Sequence, residues 1–201
     1  MPAATTNNLP EGGYALFDSA IGRCALVWRG GFVIGAALPE ASDERARASL
    51  ARRFPGAAEA EPPAFAADAI ARIVSLLAGA LTDLGDIPLD LDAGSPFERS
   101  VWDAARRIPC GEVRSYGDIA REIGAPQGAQ AVGVALGRNP VPVIVPCHRV
   151  LAADGRSGGF SAPGGVATKF RILEIEGARR TGEPELFESL PLAVKPADRA
   201  R

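Results

Sequence analysis

The stretch SPFERSVWDAARRIPCGEVRSYGDIAREIGAPQGAQAVGVALGRNPVPVIVPCHRV, residues 95–150, decides how the chain is read. It opens on Ser95-Pro96-Phe97-Glu98, a capping box with proline at the first helical position, and the apolar stripe Phe97, Val101, Trp102 and Ala105 carries a helix to about Arg107. Ser115 then caps a short helix, YGDIAREI, that ends at Gly124. Ala125-Pro126-Gln127 makes a turn, and GAQAVGVAL begins another helix that stops at Gly137. Two short helices joined by a tight turn suggest a helix-turn-helix, a unit found both in DNA-binding proteins and in hairpins that touch no nucleic acid. Asn139-Pro140 is a turn signal. The apolar run from Val141 to Val145, broken only by Pro142, reads as a short buried strand or extended segment entering a turn at Pro146.

Upstream, residues 13–38, GYALFDSAIGRCALVWRGGFVIGAAL, are apolar runs split by Ile21-Gly22-Arg23 and Arg29-Gly30-Gly31, the punctuation of a three-strand antiparallel meander. Ser42 caps a helix that runs to about Phe54, and helical periodicity continues from Ala64 to about Ala80; both helices are expected to cover the sheet. A run of Pro, Asp and Gly over 86–96 is a linker with one extended segment, PLDLD. The chain therefore divides into a sheet-and-helix part over 1–92, a mostly helical part over 93–178, and a loosely packed or disordered tail over 179–201.

Composition excludes several classes. With 47% hydrophobic and 23% charged residues this is a globular chain and neither a disordered nor a fibrous one. The start, MPAATTNNLP, lacks a signal-peptide pattern, and the most apolar stretch, AIARIVSLLAGAL, is short and interrupted by Arg72, so a cytoplasmic protein with no membrane partner is expected. Net charge is only -2, but residues 1–92 carry 7 basic and 12 acidic side chains whereas 93–178 carry 10 and 8, which makes the second part the one better suited to face phosphates.

Three cysteines at 24, 110 and 147 are too few and too widely spaced for a disulfide framework. A metal is not expected either, because one histidine and scattered cysteines offer no ligand cluster at zinc spacing. The informative site is Cys147-His148-Arg149, where the only histidine of the chain directly follows a cysteine and precedes a cation. A free thiol, with a pKa of about 8.5, is only slightly ionised at neutral pH, and neighbouring bases or cations raise that fraction. An inert buried cysteine beside a satisfied histidine is the alternative. In an extended segment adjacent side chains point to opposite faces, so His148 would reach the thiol only through a turn or a bridging water.

The segment NPVPVIVPCHRVLAADGRSGGFSAPGGVATKFRILEIEG, residues 139–177, resembles the active-site region of the O6-alkylguanine-DNA alkyltransferases, or methylated-DNA-protein-cysteine methyltransferases, whose hallmark is Pro-Cys-His-Arg-Val. The resemblance extends over about 96–177 and includes the FERSVW helix, GEVRSYGDIA, the second helix of the helix-turn-helix and the closing Glu176-Gly177. It implies an α/β protein with an N-terminal RNase H-like domain and a C-terminal winged-helix-like domain. The implied reaction is irreversible, stoichiometric transfer of an alkyl group from O6-alkylguanine in DNA to Cys147, with no cofactor.

By the same resemblance His148 acts through a water and is oriented by Glu176, Asn139 braces the turn, and Tyr116 donates to a ring nitrogen of the base. Cys147 and Val150 offer carbonyls, Ser161 an amide, and Leu136 and Phe160 apolar walls. The base is flipped out of the duplex, and the second helix, about 127–136, enters the minor groove, where Gly128, Ala129, Ala131 and Gly133 allow close approach. The family's inserting arginine is replaced by Gln130, for which Arg138 is a candidate substitute. A monomer is expected. The rival readings are a non-catalytic lesion binder, a transcriptional regulator and a cysteine hydrolase.

Overall fold

The computed structural model describes residues 12–153, 155 and 164–180. The expected meander is present as β1 (Gly12–Ser19), β2 (Gly22–Arg29) and β3 (Phe32–Ala37), antiparallel in sequence. A fourth strand that the periodicity did not predict, β4 (Ala58–Glu59), runs parallel to β1 and completes the order β3-β2-β1-β4. Two residues are too few for an alternating pattern to register.

Helix α1 (Asp43–Arg53) is capped as expected: the Ser42 side chain accepts from the Arg45 amide, acids occupy the first turn and arginines the last. Helix α2 (Ala64–Leu77) ends three residues short of the expected Ala80, just before Gly79 at φ +98°. The linker stays close to the sheet. Val33 donates to the Pro88 carbonyl at 2.9 Å and Asp90 donates to the Val33 carbonyl at 3.1 Å, so PLDLD runs along β3.

The second part opens on α3 (Pro96–Arg106), with both bonds of the Ser95/Glu98 capping box formed. Strand β5 (Glu112–Ser115) leads into α4 (Tyr116–Glu122), capped by a second box between Ser115 and Asp118. Helix α5 (Ala129–Gly137) follows, with Gly128 as its N-cap. Cys147–Arg149 form a 3-10 turn, Val150–Leu151 form β6, and α6 (Gly165–Ile175), which the sequence reading did not assign, precedes β7 (Arg179–Arg180). Both β6 and β7 pair in parallel with β5. Arg179 and Arg180, placed by the sequence reading in a loose tail, thus belong to a sheet; residues 181–201 lie outside the described residues.

Two helix ends use glycine for one reason. Gly124 (φ +76°) and Gly177 (φ +58°) follow the caps of α4 and α6 in left-handed conformation. The amides two residues beyond each cap reach back to Ala120 and Leu173 carbonyls at 2.8 and 3.0 Å. At Gly177 this sharp stop fixes the direction of the preceding side chain, Glu176.

The two halves are not separately cored. Leu26, Val33, Ile73 and Leu76 of the first half form one cluster with Val141, Val143, Ile144 and Ile172 of the second. Burying each such chain contributes on the order of 2 kcal/mol, so the run before Cys147 is anchored in the first half's interior. A second cluster joins Val101, Trp102, Ile119, Val132 and Leu136, and the Trp102 indole donates to the Ala135 carbonyl at 2.9 Å. Among the described residues no helix is long and apolar enough to cross a membrane.

Candidate active site

The expected extended approach to Cys147 is a tight loop instead. Val143, a β-branched residue, sits at φ +77°, a strained conformation that persists only where surrounding structure over-determines it. Asn139 supplies that constraint. Its side-chain amide donates to the Val145 carbonyl at 2.8 Å, and its side-chain carbonyl accepts from Val141 at 2.9 Å. The loop delivers Cys147, His148 and Arg149 into a 3-10 turn, all three buried. The opposite-face geometry of an extended segment therefore does not apply.

Glu176 is held 28 residues away in sequence and meets this turn. One carboxylate oxygen lies 3.0 Å from His148 Nε2 and accepts from Arg149 Nη2 at 2.8 Å, and the other accepts from Arg149 Nε at 3.0 Å. Arg149 also donates to the Ile108 carbonyl at 2.8 Å. Burial alone would raise the Glu176 carboxyl, but His148 and Arg149 more than offset it and hold it down to about 2. Burial pushes His148 below its ordinary value against the pull of Glu176, so the imidazole is neutral. Because an ionised Glu176 can only accept, Nε2 carries the ring proton and Nδ1 keeps a free lone pair. A neutral base with an oriented ring is the product of this triad.

Burial pushes the Cys147 thiol up, opposed by the Asn139 side chain, the Lys169 charge and the amides of Cys147 and His148. At rest it is a thiol surrounded by groups that favour the thiolate. Lys169, which the sequence reading missed, is 1% exposed on α6; its ammonium donates to the Val150 carbonyl at 2.6 Å and lies 5.7 Å from the centre of the Tyr116 ring. Burial lowers it to about 8, while Cys147 pulls the other way. A signal existed. Lys169 shares one helical face with Ile172 and Leu173, an apolar stripe on which a lysine is out of place, and Glu176 continues it.

The other thiols differ. Cys24 is buried in β2 and raised to about 11 by burial, with only Ser19 opposing. Cys110, in the turn Pro109-Cys110-Gly111, lies beside Glu176 and Arg149; burial and then the Glu176 charge raise it. Among the described residues no group of three or more His, Cys, Asp or Glu is arranged to hold a metal ion.

Tyr116 starts α4 and faces α5, where a Cβ on Gly133 would stand 3.7 Å from its ring. Gly133 is thus half-buried against Tyr116, while Gln130 and Ala131 are exposed and Gly128 and Ala129 half-buried. Leu136 is buried in the core beneath them. Arg138 pairs with Glu98 at 3.0 Å, although 69% of its side chain remains exposed. Phe160 and Ser161 lie outside the described residues.

The model of the family described as "6-O-methylguanine DNA methyltransferase, DNA binding domain" matches residues 96–178. A methylated-DNA-protein-cysteine methyltransferase of Mycobacterium tuberculosis is 39% identical over 175 residues, 87% of this chain and 98% of the relative. The crystal structure of Mycobacterium tuberculosis OGT in complex with DNA superposes with a TM-score of 0.66 at 38% identity, covering 82% of this chain and 92% of that one. The O6-methylguanine-DNA methyltransferase of Pyrococcus kodakaraensis gives 0.63 at 25% identity, over 82% and 99%. With a relative matched over nearly its entire length, and with the cysteine, histidine and glutamate gathered at one buried point, the chain belongs to the methylated-DNA-protein-cysteine methyltransferase family.

Proposed function

We propose that this protein repairs O6-alkylguanine in DNA by taking the alkyl group irreversibly onto Cys147. The observation that carries the reading is the buried His148, tied through Nε2 to Glu176 at 3.0 Å, directly after the buried thiol of Cys147 in one 3-10 turn. The free Nδ1 takes the thiol proton through a bridging water, the thiolate attacks the alkyl carbon, and the bond to O6 breaks. Guanine leaves with the electron pair and a proton, for which Tyr116 is the donor. The thioether has no labile bond, so each molecule acts once and needs no cofactor.

The reactive carbon is shielded in duplex DNA, so the nucleotide is rotated into the pocket while α5 lies in the minor groove. Asn139 braces the loop, Cys147 and Val150 offer carbonyls to the exocyclic amine, Ser161 an amide to O6, and Leu136 and Phe160 apolar walls. Gly128, Ala129, Ala131 and Gly133 keep the helix slim at the groove. We read residues 1–92 as an RNase H-like domain, in keeping with the order β3-β2-β1-β4 and a parallel β4, and 93–178 as a winged-helix-like domain. The protein works as a monomer in a reducing compartment, where its thiols stay free.

Incubation with O6-methylguanine DNA followed by intact-protein mass spectrometry and peptide mapping tests the assignment. One methyl group on Cys147, and none on Cys24 or Cys110, is expected. Methyl on either of the others, or turnover beyond one equivalent, would refute it.

Gln130 takes the inserting position on α5. It fills space and hydrogen-bonds the orphaned base, but it lacks the phosphate attraction and cation-π stacking of a guanidinium. Arg138 is the candidate substitute, and its pairing with Glu98 leaves it only partly available. Gln130→Arg is therefore expected to raise the repair rate in duplex DNA, where flipping costs a few kcal/mol, and to leave single-strand repair nearly unchanged. An unchanged or lower duplex rate would show that another residue opens the helix.

A further inference from the structure

Helix α1 carries its charges unevenly. Ala46 and Leu50 bury one side of it. Asp43 pairs with Arg23 at 3.1 Å, Glu44 accepts from the Ser42 hydroxyl, and Arg47 pairs with Glu59 at 2.7 Å. Toward the second half it presents Ser49, Arg52 and Arg53, which line a cleft of about 940 Å³ together with Gly137 and Arg138 at the end of α5. Arg45 lies on that same side, two turns before Arg52 and about 10 Å back along the axis. Arg53 is engaged, donating to the Ala36 and Pro140 carbonyls at 3.3 and 3.2 Å. Arg45 and Arg52 are exposed, and among the described residues neither side chain forms an ion pair or a hydrogen bond. The acids at the cleft do not answer them. Asp90 pairs with Arg29 at 3.1 Å and Glu98 with Arg138 at 3.0 Å. Glu40, which forms no ion pair among the described residues, has its charge set against Arg53. Three of the 7 basic residues in 1–92 thus gather on one side of one helix, in a half where 12 acids outnumber them.

We propose that this side of α1 is a second DNA-binding surface, on which Arg52, with Arg45 and Ser49, grips phosphates of the duplex that α5 enters. The inference rests on the reading of the protein as one that repairs duplex DNA. Continuity with α5 carries it. The exposed residues Gln130, Ala131, Val134 and Arg138 recur at three- and four-residue spacing and so form one stripe. That stripe ends at Arg138, on the cleft that Arg52 also lines. A duplex lying along it therefore passes the end of α1 as it leaves α5. Apart from Arg138, whose charge Glu98 offsets, the stripe is uncharged, and the phosphate attraction it lacks is supplied from α1. The chemistry matches. Duplex DNA presents one negative charge per about 1.7 Å of its axis, so two arginines two turns apart meet phosphates whatever the sequence. A guanidinium fork binds phosphate oxygens in pairs, and a serine hydroxyl adds a donor.

The test uses the full chain and an undamaged duplex oligonucleotide, with Kd measured by fluorescence anisotropy over a series of salt concentrations. The native protein is compared with Arg52→Gln, Arg52→Lys and Arg47→Gln. Arg52→Gln is expected to flatten the slope of log affinity against log salt by about 0.9, the share of one phosphate, and to weaken binding about eightfold at about 0.1 M salt. Arg52→Lys keeps the charge and should keep the slope. Arg47→Gln loses the same charge from the other side of α1 and should leave the slope as in the native protein, which separates a local contact from a change in net charge. If Arg52→Gln flattens the slope no more than Arg47→Gln does, or if Arg52→Lys flattens it as much as Arg52→Gln, the surface is refuted. The reaction then still stands as long as the native protein takes a methyl group from an O6-methylguanine duplex. If it takes none, the reading of the reaction fails, and the inference with it.

Discussion

Glu176→Gln is expected to slow alkyl transfer by roughly 10²-fold or more while leaving DNA affinity within about twofold, because the carboxylate orients a base and touches no phosphate. The structure adds a second loss. Glu176 is also the bidentate partner of Arg149, with none of the Glu176 side chain and only 8% of the Arg149 side chain exposed. Removing one member of such a pair strands the other's charge, at a cost of about 3–5 kcal/mol. Denaturant unfolding and single-turnover rates separate the two effects. Adding Arg149→Met should return much of the lost stability without returning the rate, and raising the pH should return part of the rate, since hydroxide then supplies the thiolate. Loss of DNA affinity in step with the rate would count against the relay.

The same carboxylate predicts an acid limb. Its folded value, about 2, lies below the unfolded 4.5, so the unfolded chain takes up the proton first. The contribution is complete above about pH 4.5 and is lost as the pH falls toward 2. His148, also lowered in the fold from 6.5, starts that loss earlier, below its unfolded value. In Glu176→Gln the limb below pH 4.5 should shrink.

Lys169→Met should make the protein more stable and slower. Holding a lysine at about 8 instead of 10.5 in a nearly closed site means that its charge opposes folding at neutral pH, by on the order of 3 kcal/mol. The sign follows from the protons. Between pH 8 and 10.5 the unfolded chain holds a proton that the folded one releases, so native stability rises across that window, and the rise should vanish in the variant. Methionine fills a similar volume without charge. The transfer rate should fall about tenfold or more at neutral pH, because the cation favouring the Cys147 thiolate is gone. Its pH optimum should move upward, a response that a merely structural lysine would not give. A destabilised variant with an unshifted pH profile would show that Lys169 only props up α6.

Much of the architecture was legible because local rules and tertiary packing agree. The capping box at Ser95, the cap at Ser115, the glycine stops and the alternating runs of the meander are satisfied by residues within a few positions of one another. Strand β4 and the 3-10 turn were not legible. A two-residue parallel strand depends on a partner 45 residues away, at Gly13 and Tyr14, and the turn at Cys147 depends on Asn139 and on a strained Val143 that no propensity favours.

The sequence by itself determined the residue types at the reactive point: one histidine in the chain, joined to one cysteine in a Pro-Cys-His-Arg-Val run, with Glu176-Gly177 closing the matching segment. It also determined where α1, α3 and α4 begin, since their caps are local, but not α6 or the end of α2. Only the tertiary structure decided that Glu176 serves both His148 and Arg149, that Lys169 faces Cys147 from a helix 22 residues downstream, and that Cys110 lies beside the same carboxylate. The reason is physical. Burial and a charge's partners fix its protonation, and both are set by elements that meet in space, whereas sequence patterning records only which face of each element turns inward.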